Sequence, residues 1–110
     1  MNTIEYLDAA KRALGVESDY ALAKKLQMRA SSISNYRAGR SHMDDEVAGK
    51  VAAVLGTHPG LVILDMHRER AKSPAEKSLW GEIYKGFLTL LPHAKFGGVE
   101  RRALPRVATV

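Results

Sequence analysis

Cysteine is absent from the 110 residues. That excludes disulfides, thiol nucleophiles and cysteine-ligated zinc, and it permits a reducing compartment, so a cytoplasmic location is expected. Aromatic residues are scarce, at 6%, which fits a helical core of Leu, Val, Ile and Ala. Apolar runs such as Leu61 to Leu64 are far shorter than the roughly 20 residues a membrane helix needs, and no membrane partner is expected. The stretch from Met1 to Gly15 carries acidic residues and no long apolar segment, so it is not read as a signal peptide. The histidines, His42, His58, His67 and His93, show no metal-ligand spacing. No loop is built to cradle phosphates, and nothing arranges a nucleophile beside a base. Neither an enzyme nor a bound metal or cofactor is expected.

What the chain does have is charge and helix signals. Hydrophobic residues make up 45% of it, enough to fold one small domain with one core. The net charge of +5 and pI near 9.7 favour nucleic acid or another anionic surface as partner. Asn2 and Glu5 form a box-like start for a first helix, with Ile4, Leu7 and Leu14 as an apolar stripe and Gly15 as its end. Ser18 is an N-cap for a second helix that runs to about Leu26, and a third covers roughly Ala30 to Ala38. A fourth begins near Asp44, with Val47, Val51, Val54 and Leu55 inward, and stops at Gly56. Thr57 is read as the cap of a fifth, with Pro59 in its first turn and Leu61, Leu64 and Met66 inward. Ser73-Pro74-Ala75-Glu76 is the clearest helix start, and the sixth helix is expected from Pro74 to about Leu91, before Pro92.

The stretch Ser18 to Gly39 organises this series. Leu22, Ala23 and Leu26, then Ile33 and Tyr36, are spaced for two short helices sharing a core. Gly39 is placed to end the second of them in a left-handed conformation. Lys24, Lys25, Arg29, Ser31, Ser32, Ser34, Asn35 and Arg37 lie between the apolar positions. Such a surface suits a groove lined with phosphates. The pattern resembles the lambda-repressor and Cro-like (XRE-class) DNA-binding domains, whose motif has the form L-A-x-x-L-G-V-S-x-x-x-I-S-x-W-x-x-G. Leu22, Ala23, Leu26, Ile33, Ser34, Tyr36 and Gly39 match it, and the resemblance covers Thr3 to about Met66. The added helix is similar, more loosely, to that of small regulators of filamentous phages and prophages.

The resemblance implies an all-α fold. Residues 1–72 would form a five-helix helix-turn-helix domain binding double-stranded DNA, 73–92 a C-terminal helix, and 93–110 a basic, mobile tail. It places Ala30, Ser31, Ser34 and Asn35 where such domains read bases. The Asn35 amide has the geometry for a bidentate contact to adenine. Ser18, Asp19, Arg29, Arg37, Arg40, Ser41 and His42 would meet phosphates, Asp19 through its backbone amide.

Three positions depart from the motif. Gln27 replaces the turn glycine and must either take a left-handed conformation, at roughly 1 kcal/mol, or change the turn. Arg29 replaces the usual Ser or Thr cap, and Ser31 could cap instead. Met43 and Asp44 stand where a proline is usual. Leu79, Trp80, Ile83 and Phe87 give the sixth helix more apolar surface than a five-helix domain needs, so a homodimer or another protein is expected there. The function implied is a phage or prophage repressor that occupies an operator as a dimer. The alternative is a protein-interaction module or antitoxin working through the sixth helix and tail.

Overall fold

Six α-helices and no strand make up residues 1–91, the part of the chain that the computed structural model describes. The expectations for Pro92 and the 93–110 tail lie outside the described residues. In chain order the helices are α1 (Thr3–Leu14), α2 (Asp19–Leu26), α3 (Ala30–Arg37), α4 (Asp45–Leu55), α5 (Pro59–Arg70) and α6 (Pro74–Leu90).

Local chemistry sets most of the boundaries. The Asn2 carboxamide accepts from the Glu5 N–H, and the Glu5 carboxylate accepts from the Asn2 N–H, each at 2.9 Å. These two bonds close the capping box expected for α1. Ser18, Asp44 and Ser73 each cap the helix that follows, accepting from the N–H three residues on. The cap of α5 is His58 rather than Thr57. Pro59 holds His58 extended, and its Nδ1 accepts from the Gly60 N–H at 2.9 Å.

The core is one cluster to which every helix through α5 contributes. Tyr6, Leu7 and Ala10 come from α1, Leu22, Ala23 and Leu26 from α2, and Ile33 and Tyr36 from α3. Val47, Ala48, Val51 and Ala52 come from α4, and Val62 and Met66 from α5. Met43, at the non-proline departure before α4, is fully buried, and its carbonyl accepts from the Arg70 guanidinium at 2.9 Å. On α5 the buried row is Leu61, Val62, Asp65 and Met66, so Leu64, expected inside, lies on the flank of that stripe. Val54 and Leu55 are only partly buried.

Asp65 is the one charged side chain in that row. It is 3% exposed and accepts from the Tyr6 hydroxyl and from the Met1 amino group, with the Arg68 guanidinium 3.6 Å away. Burial, and after it the hydrogen bond to Asp65, pushes the Tyr6 phenol above its ordinary value.

α6 packs on α5 through one side only. The Trp80 ring stacks on His67 with centroids 4.4 Å apart, and the Arg68 guanidinium lies 4.8 Å from the Tyr84 ring centre. Phe87 meets the edge of His58 and closes over Gly60, where a Cβ would come within 2.6 Å of its ring. Flat aromatic faces therefore pair with the basic and imidazole groups of α5. The apolar set expected on this helix, Leu79, Trp80, Ile83 and Phe87, is split by this packing. Phe87 turns inward with Trp80, while Leu79, Ile83 and Leu90 remain 58%, 42% and 75% exposed.

Candidate nucleic-acid interface

The pair α2–α3 is joined by three residues. Leu22, Ala23 and Leu26 bury one face of α2, and Ile33 and Tyr36 bury one face of α3. The opposite face of α3 carries Ala30, Ser31 and Ser34, all exposed, with Asn35 half-buried at its edge. The four residues expected to read bases thus share one outward face, as 3.6-residue periodicity requires of positions 30, 31, 34 and 35.

Gln27 takes the left-handed option, at φ 57°. Its N–H reaches the Lys24 carbonyl, and the Met28 N–H reaches the Ala23 carbonyl at 2.9 Å, so the end of α2 is satisfied without glycine. Lys50 of α4 braces the turn from outside, donating to the Gln27 carbonyl at 3.3 Å. No signal within Ser18–Gly39 could have revealed that contact, because it joins residues 23 apart. Gln27→Gly should stabilise the protein by about 0.5 kcal/mol. Relief of about 1 kcal/mol of left-handed strain outweighs the greater freedom of glycine in the unfolded chain. Urea midpoints of the two proteins check the sign.

Arg29, not Ser31, occupies the N-cap of α3, and it makes no side-chain capping bond. A guanidinium carries only donors and cannot receive the helix N–H groups. The Arg29 side chain is exposed, as are Lys24, Lys25 and Arg40. Among the described residues these four make no ion pair, although Lys24 lies 5.5 Å over the Tyr20 ring.

Arg37 behaves differently from the phosphate contact expected of it. Its Nε and Nη2 grip the Asp19 carboxylate at 3.1 and 3.0 Å, and its Nη1 meets Asp8 at 2.8 Å. Lys11 approaches the same Asp19 at 3.3 Å. Arg37 is thereby a clamp from α3 to α1 and α2, and its charge is neutralised locally. The carboxylates of Asp19 and Asp8 thus occupy the Arg37 side chain, while the contact expected of Asp19, through its backbone amide, does not involve that carboxylate. The hydrogen bond from Arg37 is the main cause that lowers the Asp19 carboxyl below its ordinary value, and Asp19 in turn raises the guanidinium.

A depressed folded-state carboxyl stabilises above the unfolded value of about 4, and that stability is lost as pH falls through the lower folded value. Asp19→Asn should therefore flatten the acid limb of stability below about pH 4. The difference at neutral pH should be no more than about 1 kcal/mol, since the pair is partly solvated. Chemical unfolding across that pH range measures it.

The Ser18 hydroxyl accepts from the Ala21 N–H at 3.0 Å. Ser41 is half-buried and His42 exposed, with His42 Nδ1 3.4 Å from the Glu69 carboxylate. Arg40 is held twice by Asn35. Gly39 turns left-handed at φ 78°, which brings the Arg40 N–H to the Asn35 carbonyl at 2.9 Å. Its side-chain Nε then donates to Asn35 Oδ1, also at 2.9 Å.

Of the candidate partner residues, Trp80 and Phe87 are engaged on α5, while Leu79 and Ile83 face outward. Among the described residues, no group of His, Asp and Glu is clustered to hold a metal ion, and no helix is long and apolar enough to cross a membrane.

The chain is similar to the uncharacterized protein Gp-c of Pseudoalteromonas phage PM2, with 32% identity over 83 residues that span 71% of this chain and 89% of Gp-c. No family model matches the chain. No solved structure matches it either.

Proposed function

This chain belongs to the family of Gp-c from Pseudoalteromonas phage PM2, and we propose that it acts as a sequence-specific DNA-binding regulator with a lambda-repressor-like helix-turn-helix. In this reading it is a phage or prophage repressor that occupies an operator as a dimer. The observation that carries the proposal is the outward face of α3: small polar residues Ser31, Ser34 and Asn35, flanked by Arg29 and Arg40, which make no ion pair among the described residues. An α-helix with that surface fits the major groove, where its first turns meet base edges and flanking cations meet phosphates. Lys24 and Lys25 add positive charge at the end of α2. The exposed row Leu79, Ile83 and Leu90 on α6 supports the dimer, because a two-fold contact would cover apolar surface that α5 leaves open.

Selection from a pool of random duplex DNA, followed by salt titration on the enriched site, tests the proposal. An enriched site and a steep fall of affinity with salt are expected. Arg29→Ala should reduce the salt slope by about one phosphate contact, whereas Arg37→Met should act through stability instead. Failure to enrich any duplex would overturn the reading. The exposed α6 row also favours a second reading, a protein-interaction module or antitoxin. Leu79→Asp with Ile83→Asp separates the two: monomeric protein with weakened DNA binding supports the dimer, while intact DNA binding with a lost protein partner supports the module.

A further inference from the structure

We propose that Asn35 and Arg40 form one preorganised donor unit that selects guanine in the major groove. The inference rests on the DNA-binding reading above and adds the base that this part of the surface reads.

A guanidinium has only N–H donors, so the Asn35 atom facing Arg40 Nε must be its oxygen. That fixes the amide: Oδ1 points to Arg40 and the two Nδ2–H donors point away. The arrangement is supported from below. The left-handed Gly39 closes the end of α3, and the Arg40 N–H bonds the Asn35 carbonyl. The backbone therefore delivers the arginine side chain to the asparagine before any ligand arrives. Arg40 makes no ion pair among the described residues, so its charge is undiminished.

A bidentate asparagine–adenine pair uses Nδ2 toward N7 and Oδ1 toward the N6 amino group. Here a base amino group approaching Oδ1 would meet the guanidinium's own donors and its positive charge. Guanine has the opposite requirement, since both its N7 and its O6 are acceptors. The Nδ2–H group of Asn35 and the terminal N–H groups of Arg40 are donors that suit this pair. Ser34 carries a hydroxyl that donates or accepts and does not restrict the choice. The adenine contact expected of Asn35, and the phosphate contact expected of Arg40, are thereby replaced by a couple that reads guanine.

The test begins with selection from random duplexes by the full chain and by Asn35→Ala, Arg40→Ala, the double variant and Arg40→Lys. Unchanged helical circular dichroism and melting identify the variants that remain folded. The base pair whose preference disappears in Asn35→Ala should be G·C, and Arg40→Ala should lose preference at the same pair. Replacing that guanine by 7-deazaguanine should weaken wild-type binding roughly tenfold and should leave binding by either single variant nearly unchanged. The double variant should bind no more weakly than the worse single variant. Arg40→Lys should keep the salt slope but lose the base preference, since a lysine has no planar fork.

Enrichment of adenine at that pair would overturn the inference and leave the DNA-binding reading standing. So would losses in the two single variants that multiply in the double. No enrichment of any duplex would remove both.

Discussion

Asp65→Ala should cost about 3–5 kcal/mol of stability. The carboxylate is buried beneath α1, with Tyr6, the Met1 amino group and Arg68 gathered on it. Removing it leaves the Tyr6 hydroxyl, itself in the core, without an acceptor, and leaves two positive groups without their partner. A buried donor stranded in this way costs about 1–3 kcal/mol by itself. Set against a total of about 5–15 kcal/mol for a domain, the loss is large. Adding Tyr6→Phe to Asp65→Ala should therefore recover about 1–2 kcal/mol, because the stranded hydroxyl disappears. Urea unfolding followed by helical circular dichroism measures all three proteins. A double variant no more stable than Asp65→Ala would show that the Tyr6 hydroxyl is not the group left stranded.

Ile33→Ala should cost about 2–5 kcal/mol, the range for truncating a fully buried aliphatic side chain. Its effect should be local as well as global. α3 has eight residues and buries only Ile33 and Tyr36, and an isolated helix that short is not stable in water. Its position depends on those two side chains and on the Arg37 clamp. Amide hydrogen exchange should show protection across residues 30–37 falling more than protection in α4. Ile33→Val, which keeps most of the contact, should cost only about 0.5–1.5 kcal/mol. Uniform loss of protection through all six helices would mean that α3 opens only with the whole domain.

The helix boundaries were legible because caps act over three or four residues. Asn2 with Glu5, and Ser73 with Pro74 and Glu76, carry their partners in the same short stretch. The buried frame of α2 and α3 was legible for a similar reason, since Leu22, Ala23, Leu26, Ile33 and Tyr36 sit at helical spacing. The roles of the charged residues were not. Arg37 looks like any basic residue on a polar face, yet Asp8 and Asp19 reach it from two other helices. Asp65 lies four residues after Leu61 on the buried face of α5, and its hydrogen-bond donors, the Tyr6 hydroxyl and the Met1 amino group, come from 59 and 64 residues away. On α6, periodicity defined the apolar positions but not their partners. The aromatic side chains found the imidazole and guanidinium groups of α5, and the aliphatic row was left outside.

The amino-acid order thus determined an all-helical chain, the positions of its turns, the outward polar face of α3 and an excess of positive charge. Those follow from backbone geometry, local hydrogen bonds and composition, none of which needs a distant partner. Packing of the helices decided which cations remain free, that Arg37 is a clamp, that Asn35 faces Arg40 with its oxygen, and which side of α6 stays open. An ion pair or a side-chain orientation depends on atoms brought within a few ångströms by tertiary structure, and sequence spacing does not encode that distance.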